Sequence, residues 1–150
     1  MKVRNVMKSP VVTIDEFSTY EEAAKILYDN QISGAPVIDG QGNLVGLLSE
    51  KDLFRVLFPF EKSFYDNPEA YLDFEKREQK INEIRHDVIT PYISRKAVTI
   101  DPDTPIMKAG GLMLAKGIHR LPVLENGKVV GIVSRKDIFG RIFKNHLGLE

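Results

Sequence analysis

Two short motifs place a serine hydroxyl three residues before a carboxylate. Ser49 with Asp52 and Ser134 with Asp137 each follow a short apolar run that contains glycine. At a helix start, such a pair satisfies backbone N–H groups that have no partner within the helix. The same groups suit a nucleotide, because a hydroxyl can donate to phosphate and a carboxylate can accept from both ribose hydroxyls. A single motif favours the helix cap, whereas its occurrence twice makes ligand binding an equal alternative.

Each motif lies at the end of one copy of a repeat. The two copies are residues 12–54 and 98–139. The sequence Val-Thr-Ile-Asp at 12–15 recurs at 98–101, and a Pro-Val pair lies at the matching place in each copy. Apolar periodicity and turn residues predict strand, helix, strand, hairpin, strand and helix in each copy. The fold class expected is therefore α/β, with two β-α-β-β-α repeats.

Several element boundaries follow from the same patterns. A β-branched run predicts a strand at 11–14, and Ser18 with Glu21 predicts the start of a helix over 19–30. In the second copy, Thr104 is the expected cap and Pro105 the first helical residue. The last helices of the two copies are expected at 50–58 and 135–144.

A segment without a counterpart, residues 59–80, separates the copies. Asn67 followed by Pro68 predicts a helix start, and the helix should run to Lys80. Its aromatic residues favour a packed linker helix, while a lid over a ligand or a dimer contact stays open. They are Phe60, Phe64, Tyr65, Tyr71 and Phe74. The domain organisation predicted is repeat 1 over 1–58, a helical insert over 59–83 and repeat 2 over 84–146.

Composition narrows the function classes. The 150 residues contain 21 basic and 21 acidic side chains, so nothing in the net charge favours nucleic acid or an anionic membrane. With no cysteine in the chain, disulfides, thiolate metal sites and cysteine nucleophiles are excluded. No apolar run has the length of a membrane span and no signal-peptide core follows the first residues. A cytoplasmic protein is expected.

Signs of catalysis are lacking in the sequence. The three histidines, His86, His119 and His146, have no metal-ligand spacing. There is no glycine-rich loop with Gly-Lys-Ser/Thr and no Gly-x-Ser-x-Gly nucleophile elbow. Neither serine motif has a neighbouring base that would activate its hydroxyl. We therefore expect a sensor and not an enzyme.

The order of elements, with Pro-Val, Val-Gly-apolar-apolar-Ser and Ser-x-x-Asp in each copy, resembles tandem CBS domains, the regulatory pair known as a Bateman module. The resemblance covers the chain except the insert. It implies that the repeats pack as one pseudo-twofold module whose clefts bind AMP, ADP, ATP or S-adenosylmethionine. It also implies a homodimer formed through helical faces. Whether Mg²⁺ accompanies the ligand is left open.

The same resemblance assigns roles to residues of this chain. Asp52 and Asp137 are expected to hold ribose hydroxyls, and Ser49 and Ser134 to approach phosphates. The residues expected near the base are Thr13, Thr99, Pro36 and Pro122. Lys136 is a further candidate for phosphate. A second hypothesis also stays open, namely a protein-interaction or dimerisation module whose nucleotide clefts are vestigial.

The segment 117–123 is similar to the His-Arg-Leu-Pro-Val segment of the AMP-sensing kinase gamma subunit, in which basic residues meet phosphate. Arg120 can bind a phosphate through two parallel N–H groups, and His119 can add a donor. The alternative is a solvated basic pair beside a strand. The first copy has Ser33 and Gly34 at these positions, without charge. We therefore predict that the two halves bind ligand unequally.

Overall fold

The chain divides into two compact units, and each unit consists mostly of one repeat. In the computed structural model, residues 1–58 and 74–149 are described. The first unit comprises Val12–Gly40 and Val45–Arg95, and the second comprises Met1–Val11, Gln41–Leu44 and Lys96–Glu150. The units therefore do not follow the order of the repeats along the chain.

In the first unit, a three-stranded sheet has the strand order β1-β2-β3. The β-strands and helices are β1 (Ile14–Asp15), α1 (Tyr20–Asp29), β2 (Gly34–Ile38), β3 (Leu44–Ser49), α2 (Glu50–Arg55) and α3 (Phe74–Ile84). Strand β1 runs parallel to β2, with Ile14 beside Val37. Parallel neighbours need a crossover, and α1 provides it.

The second unit repeats this arrangement, except that a single bridge replaces the first strand and its sheet has two strands. Its elements are α4 (Ile106–Lys116), β4 (Arg120–Glu125), β5 (Lys128–Ser134) and α5 (Arg135–Leu147). Strands β4 and β5 are antiparallel, and Arg120 is the cross-strand partner of Ser134. Ile100 forms a single parallel bridge to Val123. This bridge corresponds to the pairing between Ile14 and Val37 in the first unit.

Each sheet is extended by a segment from elsewhere in the chain. In the first unit, the backbones of Ser94 and Leu47 exchange two hydrogen bonds of 2.9 Å. In the second, Lys8 N–H donates to the Ile132 carbonyl at 2.8 Å. Glycines permit both close approaches: a Cβ on Gly46 would overlap the Ser94 carbonyl oxygen, and one on Gly131 would lie 2.6 Å from Met7 Sδ. This need for close approach explains the Val-Gly pair in each copy.

The apolar faces of the helices cover their sheets in two clusters. In the first unit, Tyr20, Ala23 and Leu27 of α1 are buried against strand residues such as Val37. In the second, the corresponding residues of α4 are Ile106, Ala109 and Met113. The predicted core faces of both helices are thus largely buried. A Cβ added at Gly110 would lie 3.4 Å from Ile138 Cγ2 of α5, which is an ordinary van der Waals contact.

Two predicted helix caps are wrong by one residue. Thr19, and not Ser18, caps α1, because its hydroxyl accepts from Glu22 N–H and Glu22 returns a bond to Thr19 N–H. The Ser18 carbonyl accepts from Ile89 N–H at 2.9 Å, which keeps Ser18 outside the helix. Helix α4 begins at Ile106, with an extended Pro105 preceding it and no side-chain cap from Thr104.

Other boundaries also differ from the prediction. The first strand covers Ile14–Asp15 and not 11–14, since only these residues pair with β2. Helix α2 ends at Arg55, whereas α5 continues to Leu147, where an αL glycine caps it. Helix α3 extends to Ile84, past the predicted end at Lys80. The predicted start at Asn67 and the aromatics at 60, 64, 65 and 71 lie outside the described residues.

The order of elements confirms the predicted mixed α/β fold of two β-α-β-β-α repeats. Among the described residues, no helix combines the length and apolarity that a bilayer span requires.

Candidate functional site

The two Ser-x-x-Asp motifs form the same pair of backbone-to-side-chain hydrogen bonds at the starts of α2 and α5, and in the first motif Ser49 Oγ also donates to Asp52 Oδ2 at 2.9 Å. Asp52 N–H donates to Ser49 Oγ at 3.2 Å, and Ser49 N–H donates to Asp52 Oδ2 at 2.9 Å. The corresponding distances between Asp137 and Ser134 are 3.1 Å and 3.0 Å. Both motifs are therefore complete capping boxes. The helix-cap interpretation is correct for each of them.

Capping leaves part of each carboxylate unused. In both boxes the backbone contacts only Oδ2, and the part of the chain that the structure describes offers no hydrogen bond to Oδ1. Asp52 and Asp137 are also only half-buried. A carboxylate has about four acceptor positions, so a ligand hydroxyl can bind while the cap persists. The two interpretations of the motif are thus compatible.

The backbone N–H groups at the helix starts are mostly occupied. Besides the N–H groups of the two aspartates, Glu50 N–H donates to the Ser33 carbonyl at 2.9 Å, and Arg135 N–H donates to the His119 carbonyl at 2.8 Å. A helix start binds anions through such groups only when they have no other partner. A phosphate at either helix start would therefore have to be bound mainly by side chains.

Cationic side chains distinguish the second unit. Arg120 is paired across the strands with Ser134, and Lys136 follows in the first turn of α5 with an exposed side chain. His119 is also exposed, directly before β4. Arg135 has a structural contact, because its Nη2 donates to the Ile118 carbonyl at 2.9 Å. The structure thus brings the predicted phosphate residues of this copy to the start of one helix.

The first unit keeps only one of these cations at the matching positions. Gly34 occupies the place of Arg120, Glu50 that of Arg135, and Lys51 that of Lys136. With Asp137 included, the four positions in the second unit have net charge +2, whereas the matching four with Asp52 have net charge −1. The charge difference between the copies is therefore larger than His119 and Arg120 alone indicated, because Glu50 makes the first copy more negative.

The residues predicted near the base differ in accessibility. Pro36 and Pro122 are buried in β2 and β4, whereas Thr13 is half-buried and Thr99 is exposed. The two threonines lie directly before Ile14 and Ile100, in segments without strand pairing of their own. Their positions match between the copies, and their role toward a base stays a prediction.

The sequence did not indicate an apolar groove in the first unit. The groove has a volume of about 560 Å³ and lies along α1, α2 and α3. Its walls include Tyr28, Phe54 and Leu57, and Glu21 with Arg85 forms a bidentate ion pair at its edge. At the groove's base, Tyr20 donates to the Leu53 carbonyl at 2.6 Å, and burial raises the pKa of the Tyr20 hydroxyl. The exposed aromatics at 28 and 54 were the available signal.

Within the described ranges 1–58 and 74–149, no three His, Cys, Asp or Glu side chains group together as metal ligands would.

The sequence profile of the CBS domain matches residues 3–59 and again residues 85–144. The chain belongs to the CBS-domain family. The two matches coincide with the two copies of the repeat, so the suspected resemblance is confirmed.

Solved CBS structures agree with this assignment. The CBS domain of a CBS domain-containing membrane protein from Sphaerobacter thermophilus is 32% identical, with a TM-score of 0.75 over 93% of this chain and 86% of that one. A CBS domain pair solved with 5′-methylthioadenosine and S-adenosyl-L-methionine is 25% identical, with a TM-score of 0.69 and 97% coverage of both chains. The fold of this chain is thus that of a CBS domain pair.

CBS pairs also occur within much longer proteins. The A-adding tRNA nucleotidyltransferase of Aquifex aeolicus is 30% identical over 92% of this chain, but the chain spans only 14% of that protein. The similarity is therefore to a module of that enzyme.

Proposed function

We propose that this CBS pair is a regulatory module that binds an adenosine ligand. The observation that carries the proposal is the pair of carboxylates, Asp52 and Asp137, each held by a capping box through one oxygen only. Support also comes from the similar CBS pair whose structure contains two adenosine compounds, 5′-methylthioadenosine and S-adenosyl-L-methionine. Ligands of this kind share the ribose that a fixed carboxylate can bind.

In this proposal the residues divide by the part of the ligand that they meet. Asp52 and Asp137 accept from ribose hydroxyls. Phosphate groups are contacted by Ser49, Ser134, His119, Arg120 and Lys136. The base lies near Thr13, Thr99, Pro36 and Pro122.

The charge difference implies a difference in ligand preference. The cations around Ser134 favour AMP, ADP or ATP, because charge-assisted hydrogen bonds to phosphate are the stronger class. Glu50 and the uncharged Gly34 favour an adenosine compound without phosphate beside Asp52. S-Adenosylmethionine, which carries a sulfonium cation, fits the second description.

The proposed action is regulatory and not catalytic, and the proposed compartment is the cytoplasm. A ligand changes the state of the module only to the extent that it binds one conformation more tightly than the other. The output would pass to a partner protein. The proposal assigns no binding site to Mg²⁺.

Isothermal titration with AMP, ATP and S-adenosylmethionine tests the proposal. Protein shown by mass spectrometry to be ligand-free should bind at least one of them, and phosphate compounds should bind with a stoichiometry of one. The proposal is wrong if none of the three produces heat or shifts the thermal unfolding temperature. The variant with both Asp52→Ala and Asp137→Ala is the matched non-binding control.

A second function, self-association, has an observation of its own. Phe54 and Phe58 pack at a ring-centroid distance of 5.1 Å, and Phe139 and Phe143 pack at 4.2 Å at the matching place in the second copy. Phe54 and Phe139 are 61% and 60% exposed. Each pair thus holds one exposed ring against a partly buried one, and an exposed aromatic ring at the matching place in both copies favours a contact between molecules, so we propose a homodimer through helical faces. Sedimentation velocity over a concentration series tests it, with a monomer at all concentrations contradicting it.

A further inference from the structure

Backbone hydrogen bonds hold the first residues of the chain against the start of α4. Ile106 N–H, at the first residue of that helix, donates to the Met1 carbonyl at 3.0 Å, and Val3 N–H donates to the Thr104 carbonyl at 2.8 Å. A helix start leaves its N–H groups without a partner inside the helix, and no side chain caps α4. The Met1 carbonyl therefore replaces part of the missing cap.

The Met1 side chain lies against the other helix of the same unit, α5. Its thioether Sδ accepts from Arg141 Nη1 at 3.8 Å and from Asn145 Nδ2 at 3.9 Å. The two donors are four residues apart, so they lie on one side of α5. Neither side chain has another hydrogen bond or ion pair with the residues in the described ranges. Two strong donors thus share one poor acceptor, since thioether sulfur accepts only weakly.

Met1 differs from the other three methionines in its surroundings. Met113 is fully buried in the core of the second unit, and Met7 is half-buried beside Gly131. Met107 is 67% exposed, but no residue in the described part of the chain donates to its sulfur. Met1 is 54% exposed and has both donors. An oxidant can therefore reach Met1 and Met107, whereas only at Met1 do donors surround the product.

We propose that Met1 is a site of reversible oxidation whose sulfoxide is bound by Arg141 and Asn145. The oxidant is hydrogen peroxide. One of its oxygen atoms bonds to Sδ as the O–O bond breaks, so the sulfur loses two electrons and the peroxide is reduced to water. Methionine sulfoxide reductases return the thioether.

The added oxygen converts two weak contacts into stronger hydrogen bonds. An oxygen on the donor side of Sδ lies closer than the sulfur to both nitrogens, within the range of about 2.7–3.2 Å that N–H···O bonds usually have. The bond from Arg141 is charge-assisted and is the stronger of the two. Oxidation should therefore tighten the attachment of residues 1–8. This effect is opposite to the usual one, because methionine sulfoxide generally disrupts apolar contacts.

Hydrogen exchange after peroxide treatment tests the proposal, because every backbone N–H from residue 3 to residue 8 donates a hydrogen bond. In a Met107→Leu background, Met1 is the most exposed methionine that remains, and peptide mass spectrometry measures its oxidation. These amide hydrogens should exchange about fivefold more slowly after oxidation, the factor expected from one added hydrogen bond. Reductases A and B together, each of which reduces one sulfoxide epimer, should restore the original rate.

Variants of α5 separate the role of the donors from that of oxidation itself. The double variant with Arg141→Ala and Asn145→Ala should be oxidised at Met1 as readily and show no slowing of exchange. Lys144→Ala, which removes a basic side chain of α5 that does not bond to Met1 Sδ, is the matched control and should keep the fivefold slowing. Arg141→Gln, a milder change that keeps a neutral donor, should reduce the slowing to about twofold.

Three results would overturn the proposal. The first is unchanged or faster exchange once Met1 is oxidised. The second is equal slowing in the double variant, or in Arg141→Gln if the double variant does not fold. The third is a Met1 that is absent from the purified protein, or that stays unoxidised in wild type while Met107 is oxidised.

Discussion

Arg120 lies directly across the β4–β5 pair from Ser134, the residue that caps α5. The two are separated by fourteen positions in the sequence, and the antiparallel register brings their backbones side by side. The position matters for the proposed site because the backbone N–H groups at that helix start are largely engaged. The charge for phosphate must come from side chains such as this one.

Replacing Arg120 with alanine should reduce nucleotide affinity according to the number of phosphates. We expect ATP to lose about tenfold or more and AMP less, with adenosine within about twofold of wild type. Calorimetry with the three ligands measures this directly. Arg120→Lys, which keeps the charge without the planar fork, should lie between. Equal losses for adenosine and ATP would show that Arg120 acts on the fold and not on phosphate.

Changes at Asp137 should separate helix capping from ligand binding. Asp137→Asn keeps a carbonyl oxygen for Ser134 N–H, so unfolding free energy should change by less than about 0.5 kcal/mol, while ligand affinity falls about tenfold. Asp137→Ala removes both functions and should also cost about 1 kcal/mol. Urea denaturation and calorimetry give the two readouts. Unchanged affinity in Asp137→Asn would indicate a cap without a ligand role.

Alanine substitutions at Gly46, Gly131 and Gly111 should change the free energy of unfolding in three different ways. At Gly46, an added Cβ meets the Ser94 backbone and lies 2.7 Å from Ile93 Cγ2, so we expect a loss of about 2–4 kcal/mol. At Gly131, the flexible Met7 side chain can yield and the Lys8 carbonyl oxygen, 3.0 Å from the added Cβ, needs only a small shift, so the loss should be smaller, about 1–2 kcal/mol. Gly111 has open space around it on α4, and alanine there should stabilise by about 0.5–1 kcal/mol. A similar cost at Gly46 and Gly111 would be inconsistent with the close strand approach.

Acidification should weaken the first unit through Glu21. The hydrogen bonds from Arg85 lower the pKa of the Glu21 carboxyl in the folded state. Stability from a lowered pKa is present above the unfolded value, about 4.3, and is lost as the pH falls through the folded value. Thermal unfolding between about pH 5 and pH 3 should therefore decline more steeply for wild type than for Glu21→Gln. Glu78→Gln, on the exposed side of α3, is the control and should follow wild type.

The repeat and its periodicities determined most of the fold in advance. The core face of α1 was predictable from the spacing of Tyr20, Ala23 and Leu27, which are indeed buried together. The helix starts at Ser49 and Ser134 were predictable because a capping box is local chemistry. The caps at 18 and 104 were wrong because tertiary contacts moved them, as the bond between Ile89 and the Ser18 carbonyl shows.

Features that depend on distant parts of the chain could not be predicted. Nothing local in residues 7–8 or 93–94 indicates that they extend the sheets of the two units. The apolar groove was missed for the same reason, since Arg85, the residue after α3, pairs with Glu21 of α1, and the two lie far apart in sequence. In the proposed binding region, the types of the residues could be read from the sequence. The hydrogen bonds of the backbone N–H groups at the helix starts depend on the fold and could not.

The assignment of residues 1–11 to the second unit constrains how the protein is made. During synthesis, both segments of the first unit, Val12–Gly40 and Val45–Arg95, are present once Arg95 has left the ribosome. Lys8 cannot pair with Ile132 until Ile132 has been synthesised, so the segment around Lys8 takes its place late in folding. A cut between the two repeats would therefore disrupt both units, because each half would carry away a segment that bridges to the sheet of the other half.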